Sequence, residues 1–399
     1  MLLGNRSKCL GSAVSVATLG LLLAPVANAI DEGARLTAGP FQLLLQLDAQ
    51  VRYDDNIFTD ERDGESSLIT EVTPGFRLLK EDGVNSTSLG YALNAGFYAS
   101  SSDDNYFDSL FDATSHMEFS RRSQLDLKGE VLLGHDDRGS EFSKTDPTAI
   151  AEPDRYRTIT LAADYGYGAE NAQGRFVLGA EYLNKNYTNH RDTSAGRDRD
   201  NMGVSGTFFY RLMPKTRALF ELKYKDIDYD EADTLDSTNS SYRVGLTWET
   251  TAKTTGTVKV GLAQKDFDDP VRKDFDGFSW EASVQWAPQT YSVFDLTTSR
   301  SAEEGNGTGD FIDNETLSLG WTHAWNQRLS SRVSASLSID DFNGDPQQDD
   351  LTSYAVKLDY LFHRNVSFSG GLNWNEMDSS ATDQSYEQAV LFVGVETKL

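Results

Sequence analysis

The strongest constraint in this chain is a two-residue alternation of apolar and polar side chains, repeated in paired segments along almost its whole length. Near the start, Leu43, Leu45, Leu47, Ala49, Val51 and Tyr53 alternate with Gln42, Gln46, Asp48, Gln50 and Arg52. At the far end Ala389, Leu391, Val393, Val395, Thr397 and Leu399 alternate with Gln388, Gly394, Glu396 and Lys398. A period of two places each set on one face of a β-strand. The polar partner face recurs in every segment, so it cannot be the second side of a soluble sandwich core.

Composition decides what such strands can do. Only 38% of residues are hydrophobic, and beyond the first thirty none of the apolar runs approaches the ~20 residues of a spanning helix. A closed barrel is the architecture that crosses a membrane with alternating strands, because it pairs every backbone group without an edge. The first residues fit export: Arg6 and Lys8, an apolar stretch over 10–24, then Ala27-Asn28-Ala29 as a small-x-small cleavage site. The expected organisation is a signal peptide over 1–29, a short periplasmic segment over 30–40 and an outer-membrane barrel over 41–399 of a Gram-negative cell. Cys9, the sole cysteine, falls in the signal, so neither disulfides nor thiolate chemistry are expected.

Short connections fall near 81–83, 121–123, 170–173, 214–215, 251–253, 288–289, 326–327 and 363–365. Long ones lie at 55–66, 101–108, 139–155, 189–199, 230–240, 266–276, 302–312, 342–350 and 378–385. Their alternation predicts an all-β, up-and-down antiparallel barrel of about 18 strands with short periplasmic turns and long extracellular loops. Tyr165, Tyr167, Tyr210, Trp248, Trp286 and Trp321 lie outward beside short turns, where an aromatic girdle meets the headgroups.

Against 36 Lys and Arg stand 62 Asp and Glu, a net charge of −26 that argues against a nucleic-acid partner. The acids follow the long loops, and Asp54, Asp55, Asp226, Asp228, Asp230, Asp268 and Asp269 are candidate vestibule residues. Solvation of exposed loops accounts for them; divalent-cation bridging to lipopolysaccharide or an acidic glycan is the functional alternative. Neither 341–345 nor 274–277 completes an EF-hand, and no metal or other cofactor is expected.

Inward positions carry small polar residues and charges of both signs. Candidate lumen-lining residues are Glu71, Arg77, His116, Glu118, Lys128, Arg175, Glu181, Arg217, Glu221, Lys223, Arg243, Glu249, Lys259, Glu281 and Arg332. A barrel of this width encloses an aqueous channel, and of the loops 139–155 is the best placed to fold inward and narrow it; the sequence leaves open whether any does. Only His116 with Glu118 puts a base and a carboxylate together in the lumen. No hydrolase or nucleotide motif accompanies them, so catalytic residues are not expected.

The run Val51-Arg52-Tyr53-Asp54-Asp55-Asn56-Ile57-Phe58, followed by Val72-Thr73-Pro74-Gly75-Phe76-Arg77-Leu78, resembles the opening hairpin of the putative β-barrel porin 2 family. That family includes outer-membrane proteins of exopolysaccharide biosynthesis operons, of the EpsL type. The resemblance implies a role in secreting or anchoring polysaccharide, with the polymer and its export machinery as partners, and supplies no catalytic residues. The terminal strand is expected to engage the outer-membrane assembly machinery, although Leu399 stands where such strands often carry an aromatic. The expected function is passive passage of polar solutes or of an extruded polysaccharide. A non-conducting surface platform for polysaccharide or lipopolysaccharide and, more remotely, a hydrolase are the alternatives.

Overall fold

The computed structural model describes residues 36–144, 149–251 and 253–399; the signal peptide expected over 1–29 lies outside them. In chain order the strands are β1 (Leu36–Ala38), β2 (Phe41–Asp54), β3 (Ser67–Asp82), β4 (Asn85–Tyr98), β5 (Tyr106–Ser120), β6 (Ser123–Asp136), β7 (Asp154–Tyr167), β8 (Gly174–Tyr187) and β9 (Arg199–Met213). They continue as β10 (Thr216–Tyr229), β11 (Ser237–Thr251), β12 (Thr254–Phe267), β13 (Phe275–Gln289), β14 (Ser292–Glu304), β15 (Phe311–Ala324), β16 (Leu329–Asn343), β17 (Gln348–His363), β18 (Val366–Ser379) and β19 (Tyr386–Lys398). Each pairs antiparallel with the next, and β19 returns to β2 with Val393 opposite Val51. The 19-stranded sheet includes β1, which pairs only with the start of β2, so the closed wall has eighteen strands.

Turns fall where alternation breaks, with two shifts: Glu81 and Asp82 belong to β3, which moves the first turn to 83–84. Pro288 and Gln289 belong to β13, because the Ala287 N–H still donates to the Lys253 carbonyl and Gln289 lies opposite Ser292. The turn is therefore 290–291.

Exposure inverts the pattern of a soluble protein. Leu161, Leu222 and Leu391 are 51%, 57% and 57% exposed on the outer face, while Leu219 and Ile227 on the inner face of β10 are buried. An apolar exterior of this kind is a lipid-facing one. Low on the wall Trp286, Phe294 and Trp321 stack in sequence, with ring centroids 5.2 and 6.0 Å apart, as a periplasmic girdle. Pro74 interrupts the β3–β4 ladder between Val72 and Gly75, since proline has no N–H to offer.

The Tyr53-Asp54-Asp55-Asn56 run has a structural role: it closes the barrel. Pairing of β19 with β2 ends at Val390 opposite Asp54, and side chains continue the seam above that point. Asp55 accepts the Ala389 N–H at 2.7 Å. Asn56 donates from Nδ2 to the carbonyls of Asp60 (2.8 Å) and Glu387 (3.0 Å) and accepts the Asp60 N–H at 2.9 Å. Asn56 is buried, so its replacement by alanine leaves those backbone groups unpaired, at a cost of about 1–3 kcal/mol each. Asn56→Ala should lower the temperature at which the barrel loses its compact mobility in detergent electrophoresis; an unshifted midpoint would show that the seam does not depend on this side chain.

Candidate functional site, the pore and its constriction

Strand phase sends the charged candidates inward, where they neutralise one another across neighbouring strands. Around much of the wall, from the periplasmic end to mid-height, the groups stay at least partly solvated. Arg77, on β3, reaches Asp112 at 2.8 Å and Ser88 at 2.7 Å, and Lys128 meets Glu130 at 3.1 Å. His116 lies between Asp126 (2.5 Å) and Glu118 (3.7 Å), so its ring is flanked by carboxylates. Arg332 stands 3.9 Å from Asp295, Arg217 is opposite Arg211, and Glu249 is exposed at the rim. Arg175 extends past Gly166 with its Nε lacking a hydrogen-bond partner among the described residues, and Glu181 covers Gly203.

Halfway up, the wall charges pack into a buried network. Glu221 contacts Lys259 at 3.1 Å, Arg243 at 3.5 Å and Lys223 at 3.8 Å, and Glu281 contacts Lys259 at 2.8 Å and Arg243 at 3.5 Å. On the β2–β5 side Glu71 accepts from Arg52 at 3.0 Å and from the Tyr106 hydroxyl at 2.9 Å. Burial is affordable here because each charge is matched and hydrogen-bonded.

The extracellular half is narrowed by residues 139–144 of the connection after β6, part of the loop that the sequence singled out as best placed to do so. Its near end is tied to adjacent loops: Arg138 Nε donates to Asp104 at 2.7 Å, and Thr59 donates to the Gly139 carbonyl at 2.7 Å. From there the segment crosses the lumen. The Phe142 ring lies 3.7 Å from the Arg197 guanidinium and close against Gly307, and Lys144 pairs with buried Asp349 at the start of β17. β17 is seven strands round the wall from β6. Gly139 has φ of +83° with the Phe58 carbonyl where a Cβ would stand, so only glycine fits.

Sequence reasoning missed the side chains that line this slot. Tyr98, Tyr106, Tyr156, Tyr187 and Tyr229 form an inward arc at the extracellular ends of β4, β5, β7, β8 and β10. Tyr187 donates to Asp136 at 2.8 Å and Tyr229 to Glu304 at 2.9 Å, and Lys185 lies 4.2 Å over the Tyr156 ring. Lys265, fully buried, holds Glu304 at 2.9 Å. Strand phase would have found Tyr187 and Tyr229, which continue the inward sets of β8 and β10. Glu141, in the crossing segment, faces Asp136, Lys185, Arg199 and Lys144; burial, then Asp136, holds its carboxyl above the ordinary range against those cations.

The acidic candidates need correction. Asp54 is not a free vestibule acid but a buried one, 3% exposed, bound by Arg52 and Gln388 and accepting the Asn56 N–H. Asp226 and Asp228 continue the outward phase of Leu222 and Tyr224, with Asp226 opposite exposed Met202 and Asp228 opposite Asp200. They face the barrel exterior above the lipid band. Asp268 joins them, its N–H bonded to the Asp236 carbonyl; burial first, then Asp228, Asp233 and Asp268, push the Asp236 carboxyl up against the Tyr229 N–H that it accepts. Asp55 remains at the mouth beside Asp60 and Glu61 in a cleft of about 390 Å³, Asp230 is exposed and bonded through its N–H to the Asp198 carbonyl, and Asp269 accepts the Val271 N–H.

A family model described as putative beta-barrel porin 2 matches residues 32–399. The chain belongs to the putative beta-barrel porin 2 family. This porin is an outer-membrane protein with a porin-like channel architecture. No curated protein matches it in sequence. Among solved structures it is similar to Pseudomonas aeruginosa OpdK, crystallised with vanillate, at 13% identity and a TM-score of 0.52, over 90% of this chain and 99% of that one. P. aeruginosa OpdQ (12%, 0.49, 90% and 98%) and Acinetobacter baumannii OccAB2 (13%, 0.49, 90% and 98%) are also similar. At such identity the OpdK likeness speaks for the shared fold alone.

Proposed function

We propose that this porin passes hydroxyl-rich polar solutes, a glycan chain among them, by passive movement through the slot between the crossing segment and the tyrosine arc. The arc carries the reading. Tyrosine presents a flat apolar face and a hydrogen-bonding tip, the pair of surfaces that a sugar ring offers in return. Neutral oligosaccharides should block single-channel current in planar bilayers, and Tyr156→Ala with Tyr187→Ala should weaken the block while leaving conductance intact. Conductance that sugars never interrupt would sink the glycan reading and leave a channel for small solutes. Passage rather than catalysis is also what the paired, mutually neutralised wall charges suit.

Ion preference should follow the constriction and not the outer acids. Asp226→Asn and Asp228→Asn should leave reversal potentials across a salt gradient unchanged, since both face away from the ion path. Acidification should shift them toward anions. Glu141, held above the ordinary carboxylate range, loses its charge as the pH falls and tips the local balance toward Lys185 and Arg199. Glu141→Gln should reduce that pH step; a step of unchanged size would assign it to other groups. The outward Asp200, Asp226, Asp228 and Asp268 suit contact with the cation-bridged headgroups of lipopolysaccharide, and β19 suits recognition by the assembly machinery.

A further inference from the structure

The seam between β13 and β14 is zipped only in its lower half. The two strands pair from Gln289 opposite Ser292 up to Glu281 opposite Ser299 and no higher. β13 nevertheless continues to Phe275 against β12, and β14 to Glu304 against β15. Residues 275–280 therefore present a free edge. The β19–β2 closure also stops short, but Asp55, Asn56 and Gln388 stitch it. Across the upper β13–β14 seam side chains replace the ladder: Ser279 Oγ donates to the Arg300 carbonyl at 3.1 Å, Trp280 Nε1 donates to Thr298 at 3.0 Å, and Arg300 lies over the Trp280 ring.

The height of this opening matters. Trp286 marks the lower girdle, and six residues of tilted strand raise Trp280 roughly 15 Å above it in an apolar band about 25 Å tall. The free edge thus runs through the outer-leaflet half of the membrane, where each unpaired backbone group exposed to hydrocarbon costs several kcal/mol.

Aromatic rings flank the opening on both sides, together with the buried Lys265–Glu304 pair and Arg243 on the lumen side and Arg300 over the Trp280 ring on the lipid side. On the lumen side the Phe275 ring lies over Gly277, whose missing Cβ makes room for it. Phe311, fully buried, stands 5.3 Å from Phe275 and 6.2 Å from Phe267. On the lipid side Phe278 is 51% exposed and lies 5.9 Å from Trp280. At the rim Arg300 is outnumbered by Asp313 (2.6 Å) and Glu315 (3.3 Å). We propose that the upper β13–β14 seam is a lateral portal, through which the acyl chain of a single-tailed amphiphile with a neutral or zwitterionic head passes between the upper lumen and the outer leaflet. The phenylalanines take a tail and not an ion, and the acidic rim disfavours an anionic head. In the form described the three rings and the Lys265–Glu304 pair cover the lumen side, so uncovering it takes rotation of Phe275 and parting of that pair.

The full chain in a Cys9→Ser background, reconstituted in nanodiscs, tests this. Ser301→Cys places a bimane label on the lumen face of β14 beside the seam, and Ser336→Cys places one on the lumen face of β16 away from it. Lysophosphatidylcholine with a nitroxide near the tail end should quench the label at 301 saturably and leave the label at 336 unaffected. A second variant, Phe278→Cys with Ala302→Cys, joins residues that face each other if the register of Glu281 and Ser299 is extended. Its oxidation should abolish the motionally restricted nitroxide signal, its reduction should restore the signal, and ion conductance should stay constant throughout. Absent quenching at 301, equal quenching at both sites, or a restricted signal that survives the disulfide would overturn the portal. So would efficient dimer cross-linking through Phe278→Cys alone, which would assign the edge to strand addition by a second copy.

Discussion

Lys144→Met should raise single-channel conductance and add open-state flicker, because it cuts the far anchor of the segment that crosses the pore. Lys144 and Asp349 are 14% and 3% exposed as side chains, so their attraction is little screened, and losing it costs the segment on the order of 3 kcal/mol. The wall should survive. Asp349 keeps Gln347 at 3.0 Å and Ser379 at 2.5 Å as donors, so its carboxylate is not left bare. The near anchors at Arg138 and Thr59 also remain, which leaves the segment hinged rather than cut free. Gly139→Val should act on the same element from the other end, since its side chain would occupy the position of the Phe58 carbonyl. Planar-bilayer recordings of wild type, Lys144→Met and Lys144→Arg decide the matter. Equal conductance in all three would show that the segment does not narrow the ion path.

A second large effect is expected from a single step along β7. Leu161 is 51% exposed on the outer face, four residues above Tyr165 in the girdle, and so near mid-membrane. Leu161→Arg should cost ~2–4 kcal/mol, the penalty for a cation on the lipid face at the bilayer midplane. Ala162 lies opposite Lys128 and Glu181 on the lumen face. There an arginine remains hydrated and finds Glu181, so Ala162→Arg should fold normally. Urea-induced unfolding in lipid vesicles measures the difference; equal stability of the two variants would refute the assignment of faces. The same comparison at Leu45 is less telling, because Leu45 exchanges both backbone hydrogen bonds with Leu399 near the periplasmic rim, where the lipid penalty fades.

The number of strands, their order and their faces were legible because the information is local. A period of two is a property of a few consecutive residues, and a strand in a barrel has one dry side and one wet side. Where that rule was not carried through, the reading failed for no deeper reason: Asp226 and Asp228 share the phase of Leu222 and Tyr224, and their outward direction was available from the sequence. The role of Asp54 and Asn56 was hidden, since their partners Gln388 and Glu387 lie more than three hundred positions away and meet them only when the cylinder closes. The same holds for the constriction. Lys144 and Asp349 stand 205 positions apart and come together because β6 and β17 face each other across the lumen. The open half of the β13–β14 seam had no local signal either, because the alternation of both strands continues unbroken through it. Alternation records which side of the wall a residue takes; whether two walls meet, and what crosses between them, is set by the circumference of the closed barrel, a length that no short stretch of this chain contains.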